Sequence, residues 1–134
     1  MKSHGVVAAL LLTPLVVAAQ ACLPEVPDGK RIDSERFSLG FRTRPAKIVV
    51  GQHFMVEFVV CPKGAGTALQ SVRVDAHMPA HRHGMNYTAV VAPAEGGRYL
   101  AKGLMFHMPG HWEFVFDLRA GEKTDRLSQS VLLE

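Results

Sequence analysis

The chain has 134 residues, with 15 basic and 12 acidic side chains, 7 histidines, 6 methionines and 2 cysteines. A formal charge of +3, spread over scattered lysines and arginines, is too weak for a nucleic-acid partner and reads as a solvated face. No glycine-rich phosphate loop is present, and no serine or free thiol sits in a nucleophile elbow, so phosphoryl and acyl transfer find no machinery here.

Residues 1–21 read as an export signal. Lys2 supplies the positive start, Val6 to Ala19 is apolar apart from Thr13 and Pro14, and Ala19-Gln20-Ala21 has the small-x-small form of a cleavage site. The run is short and broken by Pro14, so an uncleaved membrane anchor is the weaker alternative. Cleavage leaves residues 22–134, the length of one compact domain. It also leaves Cys22 at the new N-terminus, where two readings stay open. One is a disulfide to Cys61, favoured by an even cysteine count in an exported chain. The other is a lipoprotein anchored through Cys22, for which Ala-Gln-Ala is a poor recognition sequence. The two exclude each other, because lipidation consumes the Cys22 sulfur. The expected location is periplasmic or otherwise exported.

Residues 22–36, with Pro24, Pro27, Asp28 and Gly29, are expected to be an irregular arm. Residues 37–134 then form the folded domain. Candidate strands run over Phe37–Arg42 and Ala46–Val50. His53–Cys61 alternates, with Phe54, Val56, Phe58 and Val60 on one face and His53, Met55, Glu57 and Val59 on the other. Leu69–Ala76 turns Val72, Val74 and Ala76 inward. Asn86–Ala92 and Arg98–Phe106 flank a hairpin connection at Pro93-Ala94-Glu95-Gly96-Gly97. His111–Leu118 points Trp112, Phe114, Phe116 and Leu118 inward, and Leu127–Leu133 closes the chain. No segment after residue 21 keeps a helical period. Seven to eight short strands at this spacing predict an all-β, immunoglobulin-like antiparallel sandwich.

The chemistry concentrates in Asp75-Ala-His-Met-Pro-Ala-His-Arg-His-Gly-Met85, with an echo at His107-Met108-Pro109-Gly110-His111. Imidazole and thioether together form a soft ligand set that suits copper, Cu(I) before Cu(II). In extended chain, His81 and His83 present both rings to one side, and Met85 shares their parity. Pro79 stiffens the exit from the preceding strand, and Pro109-Gly110 forms a turn. Neither segment alone offers enough ligands for a closed site. The two together supply Met78, His81, His83, His107 and Met108, with Asp75, His77 and Met85 as further candidates. Plainer accounts exist: His53 and His111 read as surface residues, and Met55 and Met105 as core fillers. A zinc hydrolase would need three hard or borderline ligands and a general base, and would leave the methionines unexplained.

The segment Asp75–Met85, the later Gly97-Arg98-Tyr99 and the segment Phe106-His-Met-Pro-Gly-His-Trp112 together resemble the YtkA-like family of small exported bacterial domains. The resemblance covers about residues 37–133. It implies an immunoglobulin-type sandwich connected with copper handling and respiratory oxidase assembly. It points at Met78, His81, His83 and Met108, with His77 and His107 outside the shared pattern. The favoured function is a non-enzymatic copper carrier or chaperone that hands its ion to a membrane or periplasmic copper protein. The alternative is a metal-free assembly module whose loops dock a membrane or respiratory complex.

Overall fold

In the computed structural model, the residues described are Met1, Pro14 and 21–134. Apart from Met1, Pro14 and Ala21, the export signal expected at residues 1–21 lies outside them. The remainder forms a sandwich of two antiparallel sheets. One has the order β1 (Lys30–Asp33), β2 (Phe37–Arg44), β3 (His53–Pro62), β7 (Tyr99–Met105), β6 (Val90–Pro93). The other has the order β5 (His83–Gly84), β4 (Ser71–Met78), β8 (Gly110–Ala120), β9 (Lys123–Leu133). No α-helix occurs among the described residues. The immunoglobulin-like sandwich read from periodicity is the fold of the chain, with nine strands in place of seven to eight.

Alternation explains the core. Phe54, Val56, Phe58 and Val60 of β3 face Trp112, Phe114, Phe116 and Leu118 of β8, and all eight are buried. Phe41 meets Phe114 and Phe116 at ring-centroid distances of 5.7 and 5.1 Å, joining the two layers through edge and tilted contacts.

Two segments depart from expectation. Ala46–Val50 is not a strand, although Ile48 and Val50 pack against the core. Pro45 has no N–H to give a ladder, and Gln52 N–H bonds to Val49 C=O in a turn that ends the segment. The arm 22–36 is more ordered than its composition implies. Lys30–Asp33 pairs with β2 as an edge strand, and Val26 is buried against Val59 and Cys61.

Cys22 is bridged to Cys61, with Cα atoms 5.6 Å apart. The Cys22 sulfur is therefore engaged and offers no thiol for a lipid. Cys61 lies at the opposite end of β3 from His53, so the bridge pins the arm far from the start of that strand. Replacing both cysteines with alanine is expected to lower stability by about 3–4 kcal/mol in the chain-entropy account. Urea unfolding of the two forms measures the loss. A difference near zero would mean that Val26 and β1 hold the arm unaided.

Alternation puts Glu57 on the outer face of β3, yet it is only 3% exposed. Arg42, Arg44 and Arg98 cover it, Arg42 donating from Nε at 2.9 Å. Burial pushes its carboxyl up, but hydrogen bonds from Arg42 and Arg98 and the charges of Arg42 and Arg44 outweigh this and leave it lowered. At one end of the sandwich, Arg36 and Ser34 bind Asp125 across the two layers, Ser34 Oγ at 2.6 Å. These bonds lower the Asp125 carboxyl as well. Bonds from Ser38 and Arg31 take Asp33 down to about 2.

A carboxyl depressed in the folded state stabilises above its unfolded pKa and loses that contribution as pH falls through the folded value. Stability is therefore expected to hold from neutrality to about pH 5 and to fall below about pH 4, where the unfolded carboxylates begin to protonate. Urea midpoints measured across this range test it. A midpoint that rises on acidification would contradict the assignment.

Candidate metal centre

The centre lies at the end of the sandwich where β4 finishes and β8 begins. Asp125 and the β8–β9 turn are at the other end of β8, a strand of eleven residues. β4 stops at Met78 because Pro79 cannot continue the ladder. The chain turns through 79–82, with His81 N–H bonding to Met78 C=O at 3.2 Å, and returns as β5. Arg82 takes φ +52, a left-handed conformation uncommon for a side-chain-bearing residue. His83 is thereby set opposite Met78 in register.

The sequence expectation of an extended His81-Arg82-His83 is thus replaced by a tight turn. The two rings still come together, with centroids 5.7 Å apart. Their proximity comes from the bend at Arg82.

The second turn follows β7. Phe106 is fully buried, His107 and Met108 are half-buried, and Pro109-Gly110 leads into β8. Trp112 Nε1–H donates to Met108 C=O at 3.0 Å, which fixes the turn onto the core. Gly110 takes φ +122, and a Cβ there would stand 2.9 Å from Met78 Cε. A side chain at this position would be strained by the positive φ and would have to displace the Met78 methyl that lies against the turn. That contact joins the two His-Met-Pro segments.

The rings form a continuous path inward. His83 and His107 have centroids 5.2 Å apart, and each meets Trp112 edge-on, at 6.1 and 5.4 Å. Trp112 stacks on Phe106 at 4.4 Å. Met78, 1% exposed, closes the inner side. The five principal candidates, Met78, His81, His83, His107 and Met108, therefore occupy one region.

Two of the three further candidates, Asp75 and His77, stand on the other face of their strand. Asp75 and His77 share the outer face of β4 with Arg73, because residues two apart point the same way. Asp75 is bound to Arg73 at 2.7 Å and to the Ala76 N–H at 2.8 Å. His77 stands in register between Gly84 and Glu113. Met85 packs against the core, its N–H bonded to Ala76 C=O. His111 is exposed at the start of β8.

Protonation follows from the hydrogen bonds. His83 Nδ1 lies 3.2 Å from Gly84 C=O. A carbonyl only accepts, so Nδ1 is the donor of this bond, and in the neutral ring Nε2 carries the lone pair. His107 Nδ1 is buried and has no hydrogen-bond partner. A buried polar atom in that condition costs about 1–3 kcal/mol, and native structures rarely leave one so. The donor chemistry suits copper: imidazole nitrogens on both turns, a thioether residue on each, and no carboxylate among the five. Among the described residues no three His, Cys, Asp or Glu side chains converge as a metal group. A site here would need Met78 and Met108 to complete it.

Sequence reasoning placed Trp112 in the core and missed its second role as the wall behind both histidines. Its position four residues after Met108 is the available signal, since a strand starting at Gly110 turns that residue inward.

No family model matches the chain, and no curated protein matches it either. Among solved structures, a DUF4426 family protein from Pseudomonas aeruginosa is similar in fold, with a TM-score of 0.52 and 14% identity. The similarity covers 78% of this chain and 96% of that one. At this identity it speaks to the sandwich alone.

Proposed function

We propose that this chain is an exported copper-binding protein, a carrier rather than an enzyme, that holds Cu(I) between its two His-Met-Pro turns. The observation that carries the reading is the buried, partnerless Nδ1 of His107, within ring contact of His83 and on the turn that meets the Met78 methyl. The YtkA-like resemblance of the same segments points the same way.

Each residue has a part. His83 offers Nε2, oriented by its Nδ1–H bond to Gly84 C=O. His107 offers Nδ1. Met78 and Met108 offer thioethers, which carry no proton and need lose none to bind. His81, exposed at the rim, is placed to take the ion from or pass it to a partner. None of these donors is an anion, which favours a monovalent ion over a divalent one. With Cys22 and Cys61 bridged, thiolate takes no part. The protein's work is to bind, orient and release the ion, and the partner that fits is a membrane or periplasmic copper protein.

Cu(I) titration in competition with a chromophoric chelator tests the reading. The protein is expected to hold Cu(I) against the chelator. Met78→Ala with Met108→Ala is expected to weaken Cu(I) retention on the order of tenfold or more, with a smaller effect on Cu(II) held through histidine. Equal losses for both ions would reduce the methionines to packing. Failure to compete at all would favour the metal-free assembly module.

A further inference from the structure

The outer face of the five-stranded sheet carries a second group of soft donors. β3 begins His53-Phe54-Met55, and Phe54 is buried in the core. His53 and Met55 therefore stand on the opposite face. β7 ends Leu104-Met105, with Leu104 fully buried, so Met105 faces outward too. The register sets His53 directly opposite Met105. The Cβ atoms of such a pair lie about 4.5–5.5 Å apart, within reach of a long thioether. Met55 is about 6.5 Å along the same strand.

Met55 and Met105 are not the core fillers that single methionines usually are. Met85 and Met108 pack against the core cluster; among the described residues Met55 and Met105 do not. The register between β3 and β7 shifts beside Met55, where Gly103 takes φ +87. A bulge of this kind bends a strand and re-aims its side chains. Tyr87 meets His53 edge-on at 4.9 Å, which restricts the swing of the imidazole. His53 itself is exposed, so the group is open to solvent. Met105 is two residues before His107, so the chain alone carries one group to the other over about 7 Å.

We propose that His53, Met55 and Met105 form a second Cu(I) site, an exposed relay next to the His83–His107 centre. The proposal rests on the copper reading of that centre. One imidazole and two thioethers make a neutral, soft, three-donor set. The ion arrives and leaves as Cu(I), with no electron transferred. Ligands exchange one at a time, and no thioether proton has to move. The exposed set receives the ion, and the half-buried set retains it.

The test uses the full chain with its disulfide intact and its methionine ε-methyl groups labelled with carbon-13. Ag(I) serves as the probe, a redox-inert ion of the same charge and softness. Met55→Leu and Met105→Leu assign the signals. The chain is expected to bind two ions, one moving the methyl signals of Met55 and Met105, the other those of Met78 and Met108. In His83→Ala/His107→Ala the Met55 and Met105 signals still move. The variant His53→Ala/Met55→Leu/Met105→Leu loses one of the two ions and keeps the Met78 and Met108 response. If Met78 and Met108 alone respond, the relay is overturned and the copper reading stands. If neither pair responds, both are overturned.

Discussion

Replacing His83 and His107 together with alanine is expected to reduce Cu(I) affinity of the half-buried centre on the order of 100-fold or more. Losing a group that merely orients a metal ligand typically costs 10–100-fold, and these residues would be ligands themselves. The two rings are 5.2 Å apart, and each has a nitrogen without a protein partner or with its lone pair free. Among the described residues no carboxylate or thiolate stands ready to replace them, since Asp75 is on the outer face and both cysteines are bridged. The fold should survive, because removing His107 also removes a polar atom buried without compensation. Chelator competition together with urea unfolding separates the two effects. A double variant that binds copper like the parent would remove both residues from the ligand set.

Trp112→Ala is expected to destabilise the domain by about 3–5 kcal/mol, the range for deleting a large aromatic ring from a core. Trp112 is fully buried, stacks on Phe106 at 4.4 Å and ties Met108 C=O through Nε1. Trp112→Phe separates packing from tethering. It keeps an aromatic ring and loses the hydrogen bond, worth about 0.5–1.5 kcal/mol. That milder variant should stay folded and hold copper less well, because the Met108 turn is no longer fixed to the core. Urea midpoints and chelator competition on the two variants provide the measurement. An unaltered affinity in Trp112→Phe would show that the tether does not position Met108.

The layers of this protein are legible in its sequence because apolar residues recur at every second position of β3, β4 and β8, and the sandwich buries that face of each. The same alternation misleads where the chain stops being extended. Ala46–Val50 alternates and packs, but after Pro45 it forms a turn rather than a strand. Lys30–Asp33 carries too little apolar character to announce itself, yet it pairs as an edge because β2 offers an unpaired ladder there. At the site, residue types were readable and parity was not. His81 and His83 meet through a left-handed Arg82. His77, beside Met78 in sequence, faces the other way. The contact between Met78 and Gly110 depends on how the sheet ends are juxtaposed, which no local pattern encodes.

The strand edges of the two sheets differ in a way that bears on how the molecule behaves when concentrated. β1 is four residues long and carries Lys30, Arg31 and Asp33; β6 is four residues and ends in Pro93; β5 has two. Short, charged or proline-capped edges are poor templates for another chain. β9 is eleven residues long with one side unpaired. Its first part bears Lys123, Asp125 and Arg126, but Leu127–Leu133 carries no charge, and Leu132 is 58% exposed. The uncharged stretch Leu127–Leu133 is therefore the edge of this sandwich best suited to strand addition, whereas the open part of β4 next to β5 carries Arg73 and Asp75. A lysine at Ser128 or Ser130, both exposed, would place a gatekeeper on that edge at the end of the chain.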